Sequence, residues 1–347
     1  MKLYFATLFD INYLSRGLAL HESIKRWHAD FVFYVLCLDD QVWEYFLKNK
    51  IAGIEILTLN ELEDDYPELN NVKKTRNYID YLFTLSPFLP SLILKKNNSI
   101  PFICSLDCDQ YFFGNSESVF ENLREHSILI MPHRFTEQVA HHIVYGKYNV
   151  SFQVFKNDEI GRNCLALWST QCLEWCYDKL EADRFADQKY LETWDTYFGD
   201  AVKEINNVGV GLAPWNLDKK KINSHGGKVY VNEEQLILYH YQGMRFVSKS
   251  LLNSGLSYYK VKPSFPFIKL VIYPIVRSLL RYQKKQLSDS IGRNLHTESK
   301  NRSFWGLISS RGMYYVARNM LINLNFLYQI KRLSIQNLYS KSRELVR

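Results

Sequence analysis

The chain has 347 residues, of which 47% are apolar and 23% charged, with 15 Gly and 9 Pro. That composition excludes disorder, collagen and coiled coil as whole-chain descriptions, and the length suffices to bury a full core. The formal charge of +7 hides a division: residues 260–347 carry 17 Lys and Arg against 3 Asp and Glu, whereas residues 1–259 carry 26 against 33, so the two parts face different partners.

The first 60 residues alternate strand and helix signals. Leu3–Phe9 is a short apolar run of β type, and Leu18–Trp27 has helical spacing. Phe31–Leu38 is a continuous apolar run, the pattern of a parallel strand covered on both faces. Asp39–Lys50 predicts a helix capped by Asp39 or Asp40, and Ile54–Leu57 another strand. This βαβαβ order predicts a parallel, doubly wound sheet with right-handed crossovers. Residues 71–96 read as helical, broken at Pro87 and Pro90. Strands are predicted at Pro101–Leu106, Ile128–Met131, Val150–Phe155 and Leu236–Tyr241. Asn157–Arg184 predicts one long helix and Asp187–Trp194 a shorter one. From about residue 260 the chain turns basic, aromatic and helical.

None of the six cysteines (37, 104, 108, 164, 172 and 176) forms a Cys-x-x-Cys pair. Cys172 and Cys176 have no second pair to complete a zinc site, so reduced thiols are expected. No signal peptide is expected ahead of the first strand, and no run reaches the ~18–20 uncharged apolar residues of a spanning helix.

Ligands of open α/β sheets sit at the carboxyl ends of the strands. Asp10, Ile11, Asn12 and Tyr13 follow the first strand, Asp107 and Asp109 follow the strand at 101–106, His133 and Arg134 follow the strand at 128–131, and His240 lies at the last strand. Asp107-Cys108-Asp109 is the sharpest feature. Alone, Asp-x-Asp occurs in many solvated loops. Here an apolar strand precedes it and Tyr111, Phe112 and Phe113 follow, which places both carboxylates at a fixed edge. Hard oxygen ligands suit Mg²⁺ or Mn²⁺, and such an ion neutralises a departing diphosphate.

These segments resemble the GT-A-fold glycosyltransferases, the nucleotide-diphospho-sugar transferases, over about residues 1–250. Asp107-x-Asp109 matches their metal-binding element. Ala6-Thr7-Leu8-Phe9-Asp10-Ile11-Asn12-Tyr13 looks like their uridine-contact segment and is similar to the Asp-x-Asn-Tyr element of glycosyltransferase family 8. Asp187-Gln188 is similar to the Asp-Gln element near the transferred sugar, and His240-Tyr241-Gln242-Gly243 to the His-x-x-Gly element whose His is the third metal ligand. The chain has Ser151 where the family often has Gly, and Arg245 two residues after Gly243 where family 8 has Lys after three.

The resemblance implies a GT-A fold over residues 1–255 and a metal-dependent transfer from a nucleotide-sugar donor, in the first place a UDP-sugar, to a growing glycan such as lipopolysaccharide or capsule. Similarity to family 8 favours retention of anomeric configuration. It assigns Mn²⁺ or Mg²⁺ to Asp107, Asp109 and His240. It puts the donor against Thr7, Phe9, Asp10, Asn12, Tyr13 and Asp107, and the sugar against Asp187 and Gln188. Residue chemistry adds Arg16, Arg76 and Arg245 for the diphosphate, because guanidinium forks match phosphate oxygens. It adds Asn149, Trp215 and Asn216 for acceptor hydroxyls and ring faces.

The basic region 256–347 is expected to be a helical extension. In Pro263–Lys285 and again in Met313–Arg332, apolar and aromatic residues alternate with cations, as in helices that lie on anionic membranes. The implied acceptor is then a lipid-linked glycan, and the expected place is the cytoplasmic face of the plasma membrane. No nucleic-acid module is visible, so no nucleic-acid partner is expected. Two rival readings remain: a non-catalytic, degenerate GT-A protein serving as a membrane-bound assembly partner, and a metal-dependent phosphoesterase using the same two carboxylates.

Overall fold

The computed structural model describes residues 1–248 and 251–288. The chain opens with β1 (Leu3–Phe9), α1 (Leu14–Trp27), β2 (Phe31–Cys37), α2 (Asp40–Asn49) and β3 (Ile54–Thr58). β1 pairs in parallel with β2, and β2 with β3, as the apolar runs predict. Asp39 caps α2 by accepting from the Val42 amide at 2.8 Å. The stretch expected as one broken helix is four short ones, α3 (Leu59–Asp65), α4 (Leu69–Thr75), α5 (Tyr78–Thr84) and α6 (Phe88–Lys96). α6 follows Pro87 and carries Pro90 in its first turn, where a missing amide hydrogen costs nothing.

β4 (Phe102–Leu106), β5 (Gln110–Phe112), α7 (Glu117–Phe120), β6 (Ile128–Pro132), β7 (Tyr148–Lys156) and α8 (Glu159–Glu174) follow, then α9 (Trp194–Phe198), β8 (Val202–Glu204) and β9 (Val210–Leu212). Seven strands form the central sheet in the order β3-β2-β1-β4-β7-β6-β8, parallel except where β7 runs against β4 and β6. Leu14, Leu18 and Ile24 of α1 and Val42 and Phe46 of α2 pack on one face with Phe5, Phe33, Cys104 and Val154. Leu92 of α6 and Leu165 and Trp168 of α8 pack on the other with Ala6, Leu36, Ile103 and Phe155. The expected mostly parallel α/β sheet with helices on both faces is therefore the architecture observed.

β10 (Ile222–His225), β11 (Lys228–Val231) and β12 (Glu234–Gln235) form a small antiparallel sheet. β13 (Leu238–His240) lies between β5 and β9, antiparallel to β5 and parallel to β9. β14 (Arg245–Ser248) and β15 (Leu251–Asn253) make a hairpin. α10 (Phe265–Phe267) continues through a wide turn at Ile268–Ile272 into α11 (Tyr273–Ser288). The apolar side of these last helices packs inward: Phe267, Val271, Ile272, Ile275 and Leu279 share a third core with Tyr111, Leu212, Tyr239 and Tyr241. Arg281 of α11 grips Glu22 of α1 at 2.7 and 2.8 Å. The described part of the basic extension is thus built into the body of the fold, and its apolar side is not left for a membrane. Met313–Arg332 lies outside the described residues. Among the described residues no helix is long and apolar enough to cross a membrane.

Candidate active site

β1, β4 and β6 end on one edge of the sheet, and the β5-β13-β9 sheet brings β13 to the same edge. β4 delivers Asp107, whose amide is held by the Ser151 carbonyl of β7 at 3.2 Å. His240 sits opposite Gln110 in the β13–β5 ladder, and the Tyr241 amide donates to the Asp109 carbonyl at 3.0 Å. At His240 and Gln110 that ladder joins residues 130 positions apart. The His240 Nε2–H donates to Asp109 Oδ1 at 3.0 Å, and Nε2 lies 3.7 Å from Asp107 Oδ2. One ligand atom from each of Asp107, Asp109 and His240 falls within 4.8 Å of the other two. Two carboxylates and one imidazole are a donor set that fits a divalent cation.

The electrostatics agree with a site built around positive charge. Partial burial raises Asp107 above the usual carboxylate value, against the pull of His240, while the 42% of its side-chain surface left exposed gives a ligand access. Burial also pushes Asp109 up, but the His240 charge and hydrogen bond and the Arg16 charge together hold it below the usual carboxylate value. Burial lowers His240, yet the two carboxylates outweigh it and raise the imidazole. Trp215 stands edge-on to His240 with ring centroids 5.3 Å apart and fixes its plane.

On the β1 side, Asp10 caps the turn at Ile11–Tyr13 by accepting from the Asn12 amide at 3.0 Å. Its other oxygen takes a hydrogen bond from the Tyr78 hydroxyl at 3.0 Å. Tyr13 and Tyr78 are 40% and 55% exposed, so two aromatic rings frame Asp10 and Asn12. Arg16 is buried, lies 4.4 Å from the Tyr13 ring centre and donates to the Met244 carbonyl at 3.0 Å. Arg16 and Arg245 line one crevice beside the hairpin β14–β15.

Asp187 is 2% exposed. Ser86, in the turn before α6, donates to its Oδ2 at 2.5 Å, and the Trp168 indole donates to its carbonyl at 2.8 Å. Ala186 before it has φ 47°, a left-handed strain of roughly 1–2 kcal/mol for a residue with a Cβ. Burial pushes the Asp187 carboxyl up to about 7, Ser86 partly offsets this, and the charge of Asp107 adds to the rise. Gln188 donates from Nε2 to the Tyr145 carbonyl at 2.8 Å.

Several expected contacts become packing contacts instead. Thr7 and Phe9 are both 2% exposed, and the Phe9 ring lies under α1 at Gly17, where an added Cβ would come within 2.3 Å of it. Phe9 is therefore core, not a surface for a base. Arg76 donates to the carbonyls of Cys172 and Leu173 at 2.6 Å each, and to the Thr84 hydroxyl. It closes the end of α8, whose last carbonyls lack helical partners, and is spent there rather than on a diphosphate. Asn149 is bound to His133 Nε2 at 3.1 Å and accepts from the Ser151 amide at 2.8 Å. Asn216 donates to the carbonyls of His133 and Gly211, and Trp215 is 3% exposed, so neither offers a free surface to an acceptor. The sequence reading missed Tyr78 and Ser86, because nothing in their local pattern distinguishes them from a helix start and a turn.

No family model matches the chain. It is 26% identical over 282 residues to the uncharacterised protein YfnD of Bacillus subtilis (strain 168), covering 80% of this chain and 89% of YfnD. It is 27% identical over 252 residues to the uncharacterised YfnF of the same strain, covering 70% of this chain and 82% of YfnF. Among solved structures it is similar to mouse xyloside xylosyltransferase 1, with 14% identity, TM-score 0.47, 70% of this chain and 98% of that one. It is likewise similar to the galactosyltransferase LgtC with donor and acceptor sugar analogues, with 14% identity, TM-score 0.45, 70% of this chain and 87% of that one.

Proposed function

We propose that the chain is a metal-dependent glycosyltransferase that moves a sugar from a nucleotide-diphosphate donor, in the first place a UDP-sugar, to a growing glycan. The observation that carries this reading is the three-residue donor set of Asp107, Asp109 and His240 at the carboxyl edge of the sheet, with Asp187 close enough to feel the charge of Asp107.

Asp107, Asp109 and His240 would hold Mn²⁺ or Mg²⁺, which supplies charge neutralisation to the departing diphosphate. Tyr13 and Tyr78 bracket the base, and Asp10 and Asn12 hydrogen-bond its edge or the ribose. Arg16 and Arg245 add positive charge beside the diphosphate. Asp187, held at one oxygen by Ser86, is placed to accept a hydrogen bond or a proton from a sugar hydroxyl, and its raised pKa sets it near neutrality for that task. Gln188 lines the sugar position from the neighbouring turn. Residues 289–347, with 10 Lys and Arg against 3 Asp and Glu, would hold the enzyme on an anionic membrane at its cytoplasmic face, where a lipid-linked glycan is presented.

The test is a thermal-shift series with UDP, GDP, CDP and TDP, each with Mn²⁺ and with EDTA, on wild type and Asp109→Ala. A nucleotide at 100 times its dissociation constant adds about 2.7 kcal/mol to the folded state. The expected result is a Mn²⁺-dependent shift with UDP that the variant lacks. A folded protein that shifts with none of the four would overturn the donor site and favour a non-catalytic role.

A further inference from the structure

Trp215 and Asn216 lie inside the fold, so acceptor contacts have to come from the rim of the site. A continuous series of ring contacts leads there from His240. His240 meets Trp215 at 5.3 Å, Trp215 meets Tyr259 at 5.8 Å, Tyr259 meets His142 at 5.9 Å, and His142 meets Tyr258 at 5.6 Å. His142 also stands 5.8 Å from Tyr145, whose carbonyl holds Gln188. The belt thus joins the two chemical poles of the site, the cation ligands and the Asp187-Gln188 pair. Exposure rises along it, from 3% at Trp215 to 66% at Tyr258.

The outer end is held in place. Tyr259 donates from its hydroxyl to Gln242 Oε1 at 2.8 Å, and Lys260 donates to the Gln138 carbonyl at 3.3 Å. Gly255 has φ 75° and lies so close to the turn after His240 that an added Cβ would be 2.7 Å from the Gln242 carbonyl oxygen. The segment carrying Tyr258 is therefore clasped to the turn that follows β13, and the Tyr258 ring is presented at a defined position beside the chemistry.

We propose that Tyr258, with His142 and Tyr145 behind it, is the platform on which a hexopyranose ring of the acceptor glycan stacks. This rests on the glycosyltransferase reading and adds the acceptor's place to it. A pyranose presents an apolar C–H face and a polar hydroxyl edge, and Tyr and His rings match both, with a flat apolar face and hydrogen-bonding tips. An acyl chain would call for aliphatic walls, whereas this belt is built from rings with polar edges. A nucleobase already has its frame at Tyr13 and Tyr78, around Asp10 and Asn12.

The test uses the full chain with UDP and Mg²⁺, and saturation-transfer NMR against methyl glycosides of glucose, galactose, mannose and N-acetylglucosamine. Wild type is expected to saturate the ring C–H protons of at least one of them. Tyr258→Ala should weaken that sugar's apparent affinity by about fivefold, the scale of one ring contact, and Tyr258→Phe should restore it. A signal of equal strength in Tyr258→Ala, or none from any of the four sugars with wild type, would overturn the platform. The Mn²⁺-dependent UDP shift is measured on the same preparations. Its survival in a protein that fails the sugar test overturns the platform alone, and its absence from wild type overturns the donor site.

Discussion

Asp187 shows how a single buried carboxyl ties function to stability. Its ordinary value is 3.8, and in the fold it stands near 7 because burial disfavours its charge. Below about 3.8 both folded and unfolded chains hold the proton and the group costs nothing. Between there and about 7 only the unfolded chain releases it, so stability falls as pH rises through that window and the cost is complete above it. Asp187→Asn should therefore raise the melting temperature above pH ~7 and leave it unchanged near pH ~3, which melts of both proteins across that range will show. Ser86→Ala should push the Asp187 carboxyl higher still, because the hydroxyl stabilises the charged form. Carbon NMR of Asp-labelled protein reads this directly, with the resonance assigned by its loss in Asp187→Asn. His240 works in the opposite sense. The two carboxylates raise its imidazole above the ordinary value, and a proton would compete with a cation for Nε2, so Mn²⁺ affinity should increase as pH rises through the imidazole's titration, and His240→Ala should abolish most of it in a calorimetric titration.

At the scale of elements, the site depends on how helix ends and strand ends are closed. α8 was expected to run to Arg184 but stops at Glu174. The carbonyls of Cys172 and Leu173 turn to Arg76, and Ala186 in a left-handed conformation then redirects the chain to Asp187. Arg76→Ala orphans these buried acceptors and should cost about 1–3 kcal/mol in urea unfolding. α1 depends on a missing side chain: Gly17→Ala would drive a methyl into the Phe9 ring and cost about 1–3 kcal/mol by overpacking, read as a lower denaturation midpoint. The strands of two to four residues from Val202 onward, other than β13, carry no period long enough to be recognised from sequence.

At the scale of the whole molecule, the boundary that matters for experiment lies near Ser288. α10 and α11 cover Tyr239 and Tyr241, the neighbours of His240, so removing them would expose a core of large side chains. A truncation after Ser288 keeps these helices and removes residues that carry 10 Lys and Arg against 3 Asp and Glu. If the tail holds the protein on membranes, the full chain will sediment with anionic vesicles at low salt and the truncated chain will remain in the supernatant. Equal sedimentation of the two would refute that role.

The amino-acid order alone determined the βαβαβ opening, the strand that delivers Asp107 and Asp109, and the candidacy of His240. Each of these rests on local physics: an apolar run long enough to cross a sheet, followed by a polar residue where the strand ends. The tertiary structure alone decided which of the remaining polar and aromatic residues are tied up inside the fold. Phe9, Arg76, Asn149, Trp215 and Asn216 have the chemistry of binding residues, yet each finds its partner inside the protein. Whether a side chain faces a cleft or a neighbouring carbonyl depends on chain segments tens to hundreds of residues away. Local pattern carries no record of that distance. For the same reason Ser86 became visible beside Asp187, and Tyr258 at the end of the ring series from His240, only when the chain was folded.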